Sequence, residues 1–323
     1  MKRKMMNLSV VLGILIFAFI IYKIGPSQIW QNIKNISVLN FIILVVLRIF
    51  YWLLRTISWK VIIDAYEGKS SLFHLFAARM CGHAVSQLTP TAQAGSEATR
   101  IFMADCSSKK ISIASVVIDK TIEFLTVIFF SIIGLAVLFT RIALPGKMKT
   151  FFIGGVALFS LFVIFIFLKQ KKGLLGWIVE FLARIKIRPK FFEKHREKIK
   201  ETDEYISMFY RDHHGAFLKV FLLYSLLLIF WVAEIHLNLI YIGVTDVTLV
   251  DSFIITIMGN VAFIFPFIPG SLGLYEATYI GLFVLLGLKA GPGLTLVLIR
   301  RLIALLMAGF GLLGVVKPRL RKS

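Results

Sequence analysis

Eight apolar stretches, at about residues 8–22, 40–63, 111–140, 151–168, 216–243, 251–268, 272–288 and 293–316, take up most of this 323-residue chain. Most approach or exceed the ~20 residues a helix needs to cross a hydrocarbon core ~30 Å thick. Inside that core every backbone N–H and C=O must be satisfied within the protein, which for blocks of this length means helices. The chain is 58% hydrophobic and 17% charged, and it carries 30 Phe that a water-facing domain of this size could not hide. Soluble domains are about 25% charged. The predicted fold is therefore all-α: a polytopic integral membrane bundle, forming one domain over residues 1–323.

The formal net charge of +20 invites a nucleic-acid reading, but its distribution argues otherwise. Lys2, Arg3 and Lys4 precede the first apolar run, and Lys317, Arg319, Arg321 and Lys322 follow the last. Residues 169–200 hold eleven Lys and Arg against three Glu. Lys and Arg accumulate on the cytoplasmic side of membrane proteins. Both termini and the loop 169–215 are thus expected in the cytoplasm of a multi-pass plasma-membrane protein. No small-residue cleavage site follows the run ending near Tyr22, so it is expected to stay as a first helix. The parity this requires fits six full crossings plus two re-entrant hairpins, at 73–106 and 251–288, and equally fits eight crossings. Cys81 and Cys106 support neither a disulfide framework nor a zinc site.

Within the basic loop, Phe191 to Tyr210 has the pattern of an amphipathic helix, with Ile199, Ile206 and Phe209 among charges. Two readings stay open. It could lie in the headgroup region of an anionic membrane, or it could be an ordinary positive-inside loop.

Two segments echo each other. Pro90 is followed by Gly95, Glu97, Ala98 and Thr99; Pro269 is followed by Gly270, Gly273, Glu276, Ala277 and Thr278, with the Glu seven residues after the Pro in each. Pro and Gly interrupt helices, so the chain is expected to break at both places. Irregular backbone at membrane depth is tolerated only inside protein or beside a wet cavity. Interrupted segments in matching parts of two halves point to a transporter's substrate site and to an inverted repeat.

Charges inside the apolar blocks are the next signal, because each costs ~2.5–3.5 kcal/mol at the bilayer centre on insertion scales. Arg48 and Arg55 share one face of the second helix, and Asp119 and Glu123 share a face of the third. Glu234, with His236 and Asn238, interrupts 216–243, and Arg300 and Arg301 lie in the last block. Glu97 and Arg100 follow the first break and Glu276 the second. Arg48, Arg55, Arg100 and Arg300 are candidate phosphate contacts, since guanidinium engages phosphate bidentately, and helix N-termini after the two prolines also suit an anion. Glu97 and Glu276, at equivalent places in the two breaks, would position those arginines or exchange a proton, and Glu234 is a further candidate substrate contact. For Asp119, Lys120 and Glu123 an interhelical ion-pair role stands equal to a functional one. Lys60, near a helix end, is expected to snorkel to the interface.

Nucleotide-binding loops, zinc-protease motifs and nucleophile elbows are missing from the sequence. No cofactor or metal is expected, and no ATP-driven step without a partner. His83 and Ser86 lie near the first break, with no third member of a triad.

Three stretches now matter together: Ser86–Pro90 with Gly95–Arg100, Asp119–Glu123, and Phe265–Glu276, the last the most distinctive. In them, and over nearly the whole chain, the sequence resembles the flippase-like membrane domain of the lysylphosphatidylglycerol synthase family. That resemblance implies movement of an aminoacyl-phosphatidylglycerol between leaflets; related stand-alone domains accompany glycolipid and polyprenyl-linked glycan assembly. In full-length members a separate cytosolic domain attaches the amino acid. Here the sequence ends at Ser323, directly after its last predicted helix, so synthase activity is not expected. The pair Asp119 and Lys120 departs from the acidic–Arg pair the resemblance suggests. The expected function is a lipid flippase for a phosphate-bearing amphiphile, with an intramembrane transferase or a membrane anchor for a separate lipid-modifying enzyme as alternatives. Expected partners are anionic lipids and not nucleic acid; association with a second copy is left open.

Overall fold

A computed structural model describes residues 27, 34, 36–67, 70–88, 92–104, 106–184, 195–261 and 274–320. The predicted first helix, Pro90, Pro269, Gly270 and Gly273 lie outside them. Among the described residues there are eleven helices and no strand, as the apolar blocks require. We number them α1 (Val38–Glu67), α2 (Leu72–Leu88), α3 (Ala92–Met103), α4 (Lys109–Arg141), α5 (Gly146–Gln170), α6 (Leu174–Arg184), α7 (Arg196–Asp212), α8 (His214–Tyr241), α9 (Leu249–Val261), α10 (Leu274–Leu285) and α11 (Ala290–Leu320). Five of them, α1, α4, α5, α8 and α11, are long and apolar enough to cross a membrane.

Helix starts follow local chemistry. The Ser37 hydroxyl accepts from the Asn40 amide at 3.1 Å, and Ser108 accepts from Lys110 at 3.2 Å. Before α9, the Thr248 hydroxyl accepts from the Asp251 amide while Asp251 accepts from the Thr248 amide, a reciprocal cap. On α5 the buried residues are Val156, Val163 and Gln170, spaced by seven. A single narrow stripe thus meets the bundle, and Phe151, Leu158 and Leu161 on the rest of its surface are exposed, as expected of a lipid-facing helix.

The order long helix, two short helices, long helix occurs three times among the described residues. Two of these, α1, α2–α3, α4 and α8, α9–α10, α11, contain the segments expected to be re-entrant. In both cases the short helices fold back on each other. A Cβ on Gly82 of α2 would lie 2.8 Å from the Ser96 carbonyl of α3, and one on Gly259 of α9 would lie 2.7 Å from the Tyr279 ring of α10. With 12 residues α3 is about 18 Å long, too short to cross the core. Each hairpin also packs against a long helix of the other half. A Cβ on Gly311 of α11 would overlap the Met80 carbonyl of α2, and one on Gly134 of α4 would lie 2.8 Å from Ile257 of α9.

The basic segment folds onto the bundle. Helix α7 runs Arg196–Asp212, a few residues beyond the expected start and end, and Ile206, Phe209 and Tyr210 are buried in a cluster with Ile118 and Ile122 of α4. Ile206 and Phe209 of the expected apolar stripe are covered by protein, while Phe191 and Phe192 lie outside the described residues. The Tyr210 hydroxyl donates to the buried Gln170 side chain at 2.7 Å, which in turn donates to Thr121 at 2.8 Å. The Lys60 ammonium donates to Asp64 at 2.6 Å and to the Ser70 carbonyl at 2.7 Å, closing the end of α1.

Asp203 of α7 caps α6 from outside, its two carboxylate oxygens accepting from the Leu175 and Gly176 amides at 2.9 and 2.7 Å. Gly173, at φ 97°, makes the turn that presents these amides. Burial pushes the Asp203 carboxyl up from its ordinary value, with the two amides pulling the other way. Asp203→Ala should cost about 0.5–2 kcal/mol, as lost caps do. Amide exchange at residues 175 and 176 should rise well above wild type while exchange in α4 stays unchanged; unchanged protection at 175 and 176 contradicts the assignment.

Candidate functional site

One face of α1 organises the polar interior. Arg48, Tyr51, Trp52 and Arg55 fall within two turns, about 10 Å of helix rise. Each arginine joins a separate cluster, and the rings between them link the two: Arg48 and Arg55 lie over the Tyr51 ring at 5.2 and 5.8 Å.

The first cluster gathers α1, α2, α3, α4 and α8. Arg55 donates to Glu123 at 2.6 Å, and Lys120 reaches the same oxygen at 3.1 Å. Asp119, fully buried, receives Arg79 at 3.0 Å and Arg100 at 2.6 Å on one oxygen and the Tyr224 hydroxyl at 2.7 Å on the other. Arg100 also donates to Glu97 at 2.7 Å. The Trp59 indole lies under both guanidinium groups, 4.2 Å from Arg100 and 5.5 Å from Arg79. Asp119 and Glu123 do share a face of α4, yet they hold different arginines.

The second cluster gathers α1, α8, α10 and α11. Arg48 pairs with Glu234 of α8. Arg301 donates to Glu276 at 2.6 Å. Arg300 differs from these. It is 9% exposed, it donates to the Tyr279 hydroxyl at 2.9 Å, and it lies 4.9 Å over the Trp231 ring. Its contacts are a phenol and aromatic faces, while Glu234 pairs with Arg48 and Glu276 with Arg301.

All nine charged residues expected from the sequence, Arg48, Arg55, Glu97, Arg100, Asp119, Glu123, Glu234, Glu276 and Arg300, therefore stand in these two clusters. Gly95 lies near the start of α3, where its carbonyl accepts from Thr99 at 2.8 Å. His83 and Ser86 are spent on backbone: the His83 ring lies 3.2 Å from the Ala304 carbonyl, and the Ser86 hydroxyl donates to the His83 carbonyl at 2.7 Å. A nucleophilic pair is not built there. Arg79, Tyr224 and Trp59 were not expected. Arg79 sits one helical turn before His83 in the less apolar stretch, where a single cation does not stand out, and that spacing was the one available signal.

Across the two clusters, Arg48, Arg55, Arg79, Arg100, Lys120, Arg300 and Arg301 face Glu97, Asp119, Glu123, Glu234 and Glu276. Among the described residues the cations outnumber the carboxylates, seven to five. Among those residues no group of three or more His, Cys, Asp or Glu is placed to hold a metal ion.

Comparison with known proteins bears on this arrangement. The sequence model described as "Lysylphosphatidylglycerol synthase TM region" matches residues 6–311, nearly the whole chain. The chain belongs to the lysylphosphatidylglycerol synthase transmembrane-region family. A curated "UPF0104 membrane protein" of the archaeon Methanothermobacter thermautotrophicus (strain Delta H) is 24% identical over 312 residues, covering 92% of this chain and 90% of its own length. No solved structure matches. Family membership ties the chain to membrane lipid handling.

Proposed function

We propose that the protein moves a phosphate-bearing lipid between leaflets, the headgroup passing through the polar interior while the tails stay in the hydrocarbon. The observation that carries this reading is the surplus of positive charge in the two clusters, above all the buried Arg300, which donates to the neutral Tyr279 hydroxyl. A guanidinium in the bilayer core costs several kcal/mol without an anion, and a phosphate oxygen accepts the bidentate hydrogen bonds it offers. Arg300 makes the first contact. Arg48 and Arg55 lie along α1 as successive contacts, each held ready by a glutamate that phosphate can displace. Arg100 is committed to Asp119 and Glu97, so its part is to hold the first cluster together. Glu276 positions Arg301 beside Arg300. The basic termini and loop support a plasma-membrane protein with cytoplasmic chain ends, and a separate lipid-modifying enzyme on that side would supply or use the lipid.

The test reconstitutes the full chain in liposomes with tail-labelled fluorescent lipids and bleaches the outer leaflet with dithionite. Labelled phosphatidylglycerol should bleach beyond the outer-leaflet half when protein is present. A betaine lipid, which has no phosphate, should stop at that half. Exchange equal to protein-free liposomes for every phospholipid offered, or equally fast exchange of the betaine lipid, would sink the proposal.

A further inference from the structure

Helix α5 has 25 residues and is about 37 Å long, so it outlasts a ~30 Å hydrocarbon core and its last residues stand at headgroup level. Its buried stripe runs through Val156, Val163 and Gln170. Phe165, two residues past Val163, lies about 200° further around the helix, so it faces away from the bundle; it is 44% exposed.

Helix α6 starts just after the turn Lys171-Lys172-Gly173. At 100° per residue, buried Leu174 marks its protein side and exposed Glu180 and Arg184 its water side. Trp177 and Phe181 form the edge between the two. Their rings stack at 5.5 Å, and Trp177 meets Phe165 edge-on at 5.4 Å. This edge therefore continues the outward face of α5, and the lipid that covers Phe165 reaches Trp177. Phe181 beyond it is 49% exposed. An indole, apolar over most of its ring and polar at its N–H, suits the boundary between tails and headgroups.

The charge beside this edge is of one sign. Residues 169–184 hold Lys169, Lys171, Lys172 and Arg184 against Glu180. Lys169 lies 4.9 Å over the Trp177 ring and 5.7 Å over Phe165, and Lys171 lies 4.6 Å over Phe167. Among the described residues the lysines in ion pairs are Lys60, Lys110 and Lys120, not these three. Their stems run along aromatic surface, which leaves the ammonium groups to the headgroup layer. An anionic phospholipid supplies the missing counter-charge; a zwitterionic one brings its own.

We propose that α6 is an in-plane interfacial helix: Trp177 and Phe181 enter the leaflet at the end of α5, and Lys169, Lys171 and Lys172 gather anionic headgroups around them. The Asp203 cap, which ties the start of α6 to α7, fixes the level at which this edge meets lipid. The assignment stands whether or not the protein moves a lipid.

The experiment places the full chain, one copy per nanodisc, among lipids brominated on the acyl chain near the headgroup, which quench the indoles they touch. The quenching lost in Trp177→Phe belongs to this indole. It should be about fivefold greater with bromine on phosphatidylglycerol than on phosphatidylcholine at the same mole fraction, the enrichment expected of one lysine near the surface. Replacing Lys169, Lys171 and Lys172 together by Gln should make the two lipids equal and leave the unfolding midpoint unchanged. Depth is read from a nitroxide at Phe181→Cys in a Cys106→Ser background, Cys81 being buried. That label should collide more often with oxygen than with a water-soluble nickel chelate, and one at Glu180→Cys should do the opposite. Absence of Trp177 quenching by either lipid, or equal chelate access at 180 and 181, overturns the membrane contact. Equal quenching by both lipids in wild type, or a preference that survives the triple variant, overturns the anionic assignment. Protection at 181 found only in discs with two copies makes this edge a contact between copies and overturns the proposal.

Discussion

Asp119→Asn should be the most damaging single change in the protein, costing about 3–5 kcal/mol. That is the range for removing one partner of a buried ion pair and leaving the other charge uncompensated. Here Arg79 loses its carboxylate and Arg100 is left with Glu97 alone, because both arginines meet at the same Asp119 oxygen, 3.0 and 2.6 Å away. The asparagine keeps the shape and can still accept from Tyr224, so the loss isolates charge from packing. Arg79 is 3% exposed and Arg100 2%, which leaves neither a route to water. Removing one stranded cation should restore part of the loss: Asp119→Asn with Arg79→Gln should be more stable than Asp119→Asn alone. Thermal unfolding in detergent checks both statements. A midpoint for Asp119→Asn equal to wild type, or a double variant less stable than the single one, would show that these arginines have other compensation.

Arg300→Gln should do the reverse: keep the fold and lose the headgroup. The shorter amide can still pair with the Tyr279 hydroxyl, and a buried cation with a neutral hydrogen-bond partner is removed, so the unfolding midpoint should hold or rise. Hydrogen bonds to charged groups contribute about 1.5–3 kcal/mol, so affinity for phosphatidylmethanol should fall about 10–100-fold. Arg300→Lys keeps the charge without the planar fork and should fall between the two. An unfolded Arg300→Gln would place this arginine with Arg79 and Arg100, as part of the frame.

These two substitutions differ in outcome although both remove a charge from an interior that looked uniform in sequence. The charges themselves were legible, because an ionisable residue inside an apolar block is conspicuous: Arg48, Arg55, Asp119, Glu123, Glu234 and Arg300 all sit where burial makes them costly. Their partners were not. Arg48 and Glu234 are 186 residues apart, and Tyr224 and Asp119 are 105 apart. Nothing local joins them, so the division between an arginine held by carboxylates and one held by a phenol appears only once helices α4, α8 and α11 are packed. Arg79 escaped notice because the stretch around it is polar enough to make a cation unremarkable.

The hairpins show the same split. Pro90 and Pro269 lie outside the described residues, and the pairing of α2 with α3 and of α9 with α10 is seen instead in the close approaches of Gly82 to Ser96 and of Gly259 to Tyr279. Which long helix each hairpin leans on was not written locally, because the tight contact of Gly311 with Met80 joins the last helix to the second. For α7 the apolar stripe of Ile206 and Phe209 was readable by its period. A stripe alone does not say whether lipid or protein covers it, and here it is α4.

Leaflet exchange of labelled phosphatidylglycerol, measured side by side for wild-type protein, Arg300→Lys and Arg300→Gln in identical liposomes, addresses the central claim most directly. Exchange should be fast with wild type, slower with lysine, and at the protein-free rate with glutamine, all three proteins being folded. Glutamine exchanging lipid as fast as wild type would mean that the phosphate does not travel by this arginine.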